Sequence, residues 1–345
     1  MKKLLLLLLA TAFSFCIFIS TSCTYENTLL SNAEFKAPFT ETVLESSRME
    51  SIDIDDRHCY GIDSYDSLLV LTTNAEKKFL WIDPNESMVL GEYIYKGRGT
   101  NELVSPIYSG EFSDYALFYD LSQCRAYLFT PQDAFIKGRS DLIECCQFPP
   151  MTTHVIPAED NNLISLSLSA DELSLSSLDL SSNSIRFTYS LAKVANIKDY
   201  ITHLSLSATY SKINNSLAVA QCYLPFFTII NNNSQKSITS LNKTISWEEI
   251  RKKEVFELNI YYQKVCTVED YYISLFINQP ITEWQSKEIP VHFHIFDSDG
   301  DFIADITVND YLKDITYNHY NKKLYGLGYN NDLYVYDLTK IRDLI

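Results

Sequence analysis

Short apolar or alternating runs, broken by turn residues, recur along nearly the whole chain, and no long amphipathic helix interrupts them. Leu68–Thr72, Phe79–Asp83, Met88–Ile94, Ala116–Tyr119 and Ala126–Phe129 are early examples, and Val291–Phe296, Phe302–Val308, Lys323–Leu327 and Leu333–Tyr336 are late ones. A chain that never sustains a period of 3.6 cannot bury a helix face, so its core must be built from strands. Composition agrees, with 24 Tyr and 19 Phe for pleated surfaces and only nine Gly. The Ser-rich stretch around 163–180 imitates a linker, but Leu and Ile alternate strictly with Ser on both sides of Ala170-Asp171-Glu172. That pattern predicts a hairpin.

The strand pairs recur at roughly 40–50 residues, the spacing of propeller blades rather than of a sandwich. Residues 46–345 divide into six blades of about 50 residues, with seven of about 43 as the alternative. An all-β, six-bladed propeller is the expected fold. Ser246 with Glu249 three residues later forms a capping-box pattern that predicts one short helix between strands.

The amino terminus carries a different signal. Lys2 and Lys3 precede an uncharged run from Leu4 to Ile19, and Ser20-Thr21-Ser22 lead into Cys23. This is the layout of a secretory signal peptide, and the apolar run is short for a spanning helix. With the cysteine it resembles the lipobox of bacterial lipoproteins. The resemblance implies cleavage after residue 22, lipid attachment at Cys23 and anchoring in a membrane. Residues 1–22 then read as signal, 23–45 as a polar tether and 46–345 as the propeller, with Thr40–Leu44 expected to lend a strand to the last blade.

Net charge is −16, and loss of the two signal lysines takes it to −18. A field of this sign does not attract nucleic acid, and Arg251-Lys252-Lys253 is flanked by Glu248, Glu249 and Glu254. Of eight cysteines, six remain beyond Cys16 and Cys23: Cys59, Cys124, Cys145, Cys146, Cys222 and Cys266. No Cys-x-x-Cys pair occurs, so neither a zinc knuckle nor a thioredoxin-type motif is written here.

Two segments carry a family resemblance. Gly97-Arg98-Gly99-Thr100-Asn101-Glu102 resembles the Gly-Arg-Gly-Pro-x-Glu signature of TolB-like six-bladed β-propeller lipoproteins of Gram-negative bacteria, with Thr100 in place of the usual Pro. Tyr271–Phe276, His294–Gly300 and Asn321–Tyr325 together resemble the late-blade pattern of the same family. The resemblance implies the propeller fold and a place in the cell envelope, at the outer membrane, and it implies no catalytic residues.

Several motifs carry candidate chemistry. Arg98 and Glu102 can pair across a glycine turn and become candidate ligand-binding residues if Arg98 points into a central channel. As a dinucleotide fingerprint the segment fails, because Glu102 stands where a third glycine belongs. Asp297, Asp299 and Asp301 begin like a calcium loop, but Val308 occupies the position of the bidentate glutamate, so an EF-hand is excluded. Asp299-Gly300 between two strands predicts a hairpin, with calcium as an added reading. His292 and His294 share a strand face as half of a metal site or as a surface or channel pair.

No Gly-x-Ser-x-Gly, His-Glu-x-x-His or Walker A string occurs, so no catalytic residue and no resident cofactor are expected. The expected function is binding of a protein, peptide or glycan partner by a non-enzymatic envelope protein. The alternative is a calcium-dependent six-bladed hydrolase or lactonase.

Overall fold

The computed structural model describes residues 34–339 apart from 39, 50–51, 53, 55–57, 160, 170–171, 183, 194–204, 232–233, 242–248, 251 and 285–288. The signal segment, Cys23 and Ser246 lie outside the described residues. The described chain forms six sheets arranged as a six-bladed β-propeller, so the seven-bladed division does not hold.

The innermost strands are Cys59–Tyr65 (β1), Pro106–Phe112 (β2), Thr152–Pro157 (β3), Leu206–Ser211 (β4), Asn259–Val268 (β5) and Leu312–Asn318 (β6). Each opens one blade and meets the corresponding strands of both neighbouring blades, so β1–β6 form a closed ring around a central channel. Further strands follow outward in antiparallel order within each blade, except that Glu102–Leu103 at the edge of blade 1 lies parallel to Met88–Lys96. The 163–180 hairpin pairs Asn162 with Asp179 through Ser169 with Glu172, as its alternation predicts.

Sandwiching every blade between two others explains the sequence pattern. A strand sends successive side chains to opposite faces, and here both faces are covered. Val70, Phe79 and Trp81 therefore pack toward blade 2 with Phe118 and Phe129. Leu69, Leu71, Leu80 and Ile82 turn the other way and meet Tyr325 and Leu327 of blade 6. Among the described residues the core resolves into six such clusters, one per blade interface. Middle strands consequently read as unbroken apolar runs, which is why Leu68–Leu71 and Phe79–Ile82 show no polar alternation.

Blade 6 contributes three strands of its own, and Ser47–Arg48 completes it antiparallel to Leu333–Tyr336. The ends of the described chain therefore close the ring. Thr40–Leu44 does not do this, contrary to the expectation from sequence. It lies parallel to the outer strand of blade 5, Phe302–Val308, and Glu34–Phe35 lies parallel to the outer strand of blade 4. Glu34–Phe35, Thr40–Leu44 and Ser47–Arg48 thus form a belt along the outer edges of blades 4, 5 and 6. Leu44 anchors it, 2% exposed in the core between blades 5 and 6. Lys36 anchors it too, donating to Asp301 Oδ1 at 2.7 Å.

Candidate ligand channel

The channel holds about 930 Å3, and all six inner strands contribute to its wall. Its lining is rich in hydroxyls, among them Ser64, Thr153, Ser207, Thr209, Ser211, Thr316 and the phenols of Tyr108 and Tyr210. Some hold the blades together. Tyr108 Oη donates to the Ser64 carbonyl at 2.8 Å, joining blades 2 and 1. The amide of Val265 donates to Ser207 Oγ at 3.1 Å, joining blades 5 and 4.

Three charged side chains from β1, β5 and β6 converge in this wall. Lys264 Nζ donates to Asp63 Oδ1 at 2.8 Å and lies 3.9 Å from Asp314 Oδ2. The Asp314 carboxylate is fixed from two sides, accepting from the amide of Ile62 at 2.8 Å and from its neighbour Ile315 at 2.9 Å. Burial works against the charge of Lys264, but the carboxylates of Asp314 and Asp63 outweigh it and hold the ammonium protonated well above the usual lysine range. Burial raises both acids, Asp314 to about 6, with Asp63 adding like-charge repulsion there. With Lys264 protonated and both acids ionised, the three groups would carry one net negative charge. Two channel residues stay neutral beside them: burial lowers His154 to about 4 and raises the Cys266 thiol to about 12.

Such an arrangement can bind a polar guest. The hydroxyls donate or accept, and Lys264 and the two carboxylates offer either sign of charge to groups that displace part of the pairing. Among the described residues no group of three or more His, Cys, Asp or Glu side chains converges as a metal-ligand set.

The residues singled out from sequence lie elsewhere. Arg98 is exposed at the turn that leads to Glu102–Leu103, the outermost strand of blade 1, and neither Arg98 nor Glu102 lines the channel. Glu102 Oε2 accepts from the Gly99 amide at 2.7 Å. A Cβ at Gly97 would overlap that oxygen, and one at Gly99 would sit 2.9 Å from Glu102 Cδ, so the glycines make room for the carboxylate. The signature thus builds a turn.

In the Asp297–Asp301 hairpin, Asp297 Oδ1 accepts from the amides of Asp299 at 3.0 Å and Asp301 at 2.7 Å. Asp301 Oδ1 is held by Lys36 at 2.7 Å and Lys236 at 2.8 Å. Two of the three candidate calcium ligands are therefore engaged, and Asp301 joins the belt to blades 4 and 5.

His292 and His294 do share a face, but it is turned away from the channel, toward blade 4. His292 Nδ1 lies 2.7 Å from Asp305 Oδ1, His294 Nε2 lies 3.7 Å from Asp305 Oδ2, and His294 Nδ1 lies 3.2 Å from Tyr262 Oη. His294 is 1% exposed and stacks on Phe276 at 3.9 Å, and burial lowers its pKa. Burial alone would raise Asp305, but the His292 hydrogen bond and the nearby His294 ring win and hold it well below the carboxylate range.

Sequence reasoning missed Asp63, Lys264 and Asp314. The signal was a charge set inside an apolar strand, as in Tyr261-Tyr262-Gln263-Lys264-Val265-Cys266, where an unpaired ion would be costly.

A closed ring of six blades around a hydroxyl-rich channel defines a β-propeller with a central cavity. No protein-family model and no curated protein sequence matches the chain. Among solved structures it is similar to a member of the DUF4221 family from Bacteroides vulgatus, with a TM-score of 0.54 at 10% identity, over 89% of this chain and 98% of that one. It is also similar to U3-55K (TM-score 0.47, 9% identity, 85% of this chain and 98% of that one) and to the RRP9 WD40 repeats (TM-score 0.47, 9% identity, 84% and 99%). The likeness to the first is one of fold.

Proposed function

We propose that this chain is a lipid-anchored envelope protein of a Gram-negative bacterium, held at the outer membrane through Cys23, whose propeller captures a peptide or glycan in its central channel. The observation that carries the binding role is the channel itself. Its volume of about 930 Å3 falls in the range of sites that enclose small ligands, and its wall combines hydroxyls with one amphoteric cluster. The anchoring rests on the signal layout and Cys23. Kinship with the TolB-like propeller lipoproteins rests on the two motif segments, and the six-bladed fold is consistent with it.

Titration calorimetry with envelope glycan fragments and with short peptides tests the binding role. One of the two sets binds, and Lys264→Met together with Asp63→Asn weakens that binding at least tenfold while the protein stays folded. Failure of both sets to bind, or binding indifferent to the double variant, removes the channel as the site. Fractionation tests the anchor independently: Cys23→Ala moves the protein out of the membrane fraction.

A further inference from the structure

The outermost strand of blade 2, Leu142–Gln147, carries two adjacent cysteines away from the channel, Cys146 in the cluster between blades 2 and 3 and Cys145 packed against it, with the Cys145 thiol 3.4 Å from the Ala126 carbonyl. In a regular strand consecutive side chains point to opposite faces, so Cys145 and Cys146 would hold their sulfurs apart. The pairing with Arg125–Phe129 departs from regularity at this point. Cys146 faces Ala126 and Glu144 faces Tyr127, which leaves Cys145 as the extra residue of a β-bulge. The bulge turns Cys145 so that its Sγ lies 3.9 Å from Cys146 Sγ. Both are free thiols, Cys145 half-buried and Cys146 8% exposed.

The gap suits one kind of occupant. Two thiolates bound to one tetrahedral ion at about 2.3 Å each stand about 3.8 Å apart. A direct disulfide fits worse, because adjacent residues hold their Cα atoms about 3.8 Å apart, below the usual span of about 4.4–6.8 Å for a bridge. We propose that Cys145 and Cys146 form a chelating dithiol site for a thiophilic metal ion of the zinc or cadmium class, with solvent completing the coordination. Each sulfur releases its proton to solvent as its bond to the ion forms, so a divalent cation replaces two protons and no electron is transferred. The site stands on the edge strand of blade 2, and its occupation is independent of the channel.

The test uses the full chain, freshly reduced, with Cd2+ as the probe. Equilibrium dialysis finds about one ion retained per chain, with the ultraviolet charge-transfer absorption of a cadmium–thiolate. Cys145→Ser and Cys146→Ser each weaken retention at least tenfold, whereas Cys124→Ser, in the turn before the neighbouring strand, leaves it unchanged. No retained ion in the reduced wild type, or retention unaffected by the two serine variants, overturns the proposal. So does a Cys145–Cys146 disulfide in protein isolated from cells that mild thiols do not open. Unchanged circular dichroism in the serine variants separates loss of the site from loss of the fold.

Discussion

Lys264 Nζ lies 2.8 Å from Asp63 Oδ1, joining the inner strands of blades 5 and 1 past the blade that separates them. Asp314 of that intervening blade holds the Ile62 amide of blade 1 at 2.8 Å, so the cluster bridges the junction where the last blade meets the first. The candidate binding chemistry and the closure of the ring share the same three side chains.

Removing the lysine therefore leaves two carboxylates facing each other. Lys264→Met should cost about 1–3 kcal/mol, less than a fully buried pair loses, because the lysine side chain keeps 26% exposure and solvent screens part of the charge. Lys264→Met combined with Asp63→Asn should recover part of that loss. Urea unfolding of the two variants checks both statements; equal stabilities would mean that the ion pair adds nothing.

The pH dependence contains two opposed slopes. Asp314 titrates at about 6 in the fold against an ordinary 3.8. Its contribution to stability is therefore full below the ordinary value and is lost as pH rises through about 6. His154 titrates at about 4 against 6.5, so its contribution is full above 6.5 and is lost as pH falls toward 4. Between pH 4 and 6, Asp314→Asn should make the melting temperature climb more steeply with pH than in the wild type. His154→Gln should flatten it. Parallel profiles in all three proteins would contradict both assignments.

At the edge of blade 1, Gly97→Ala pushes a methyl group into the Glu102 carboxylate. The variant should lose about 1 kcal/mol, and Glu102→Ala in the same chain should relieve most of the clash. A double-mutant cycle by thermal melts reads the coupling. Ligand binding in the channel should not change, since the turn lies on the outer edge of its blade.

Leu44→Ala tests the belt. The side chain is 2% exposed, and its truncation should cost about 2–4 kcal/mol while Val43→Ala, at 60% exposure, stays near neutral. Amide exchange should quicken at 40–44 and at 304–308 together, because the two strands share one ladder. Protection retained at both would show that other contacts hold the belt.

Much of the architecture was legible because it is local. Alternation in Leu163–Leu168 and Leu173–Leu180 specified a hairpin, and the regular recurrence of strand pairs specified blades. The glycine signature was legible as a turn for the same reason, since Gly97, Gly99 and Glu102 meet within six residues. His292 and His294 were correctly placed on one face, but that face opens on Tyr262 and Phe276 between blades, which no spacing encodes. Thr40–Leu44 was legible as a strand, while its partner, more than 260 residues away, was not.

Taken alone, the sequence determined the element type and the recurrence of strand pairs, and it left six or seven blades open until the ring was seen to close with six. Element type and recurrence depend on periodicities within one hairpin. The tertiary structure alone decided that Asp63, Lys264 and Asp314 meet in the channel, that the belt crosses three blades, and that a bulge turns Cys145 toward Cys146. The first two depend on which distant strands become neighbours when the ring closes. The third depends on a one-residue slip in register, which changes the direction of a side chain without changing any residue in the chain.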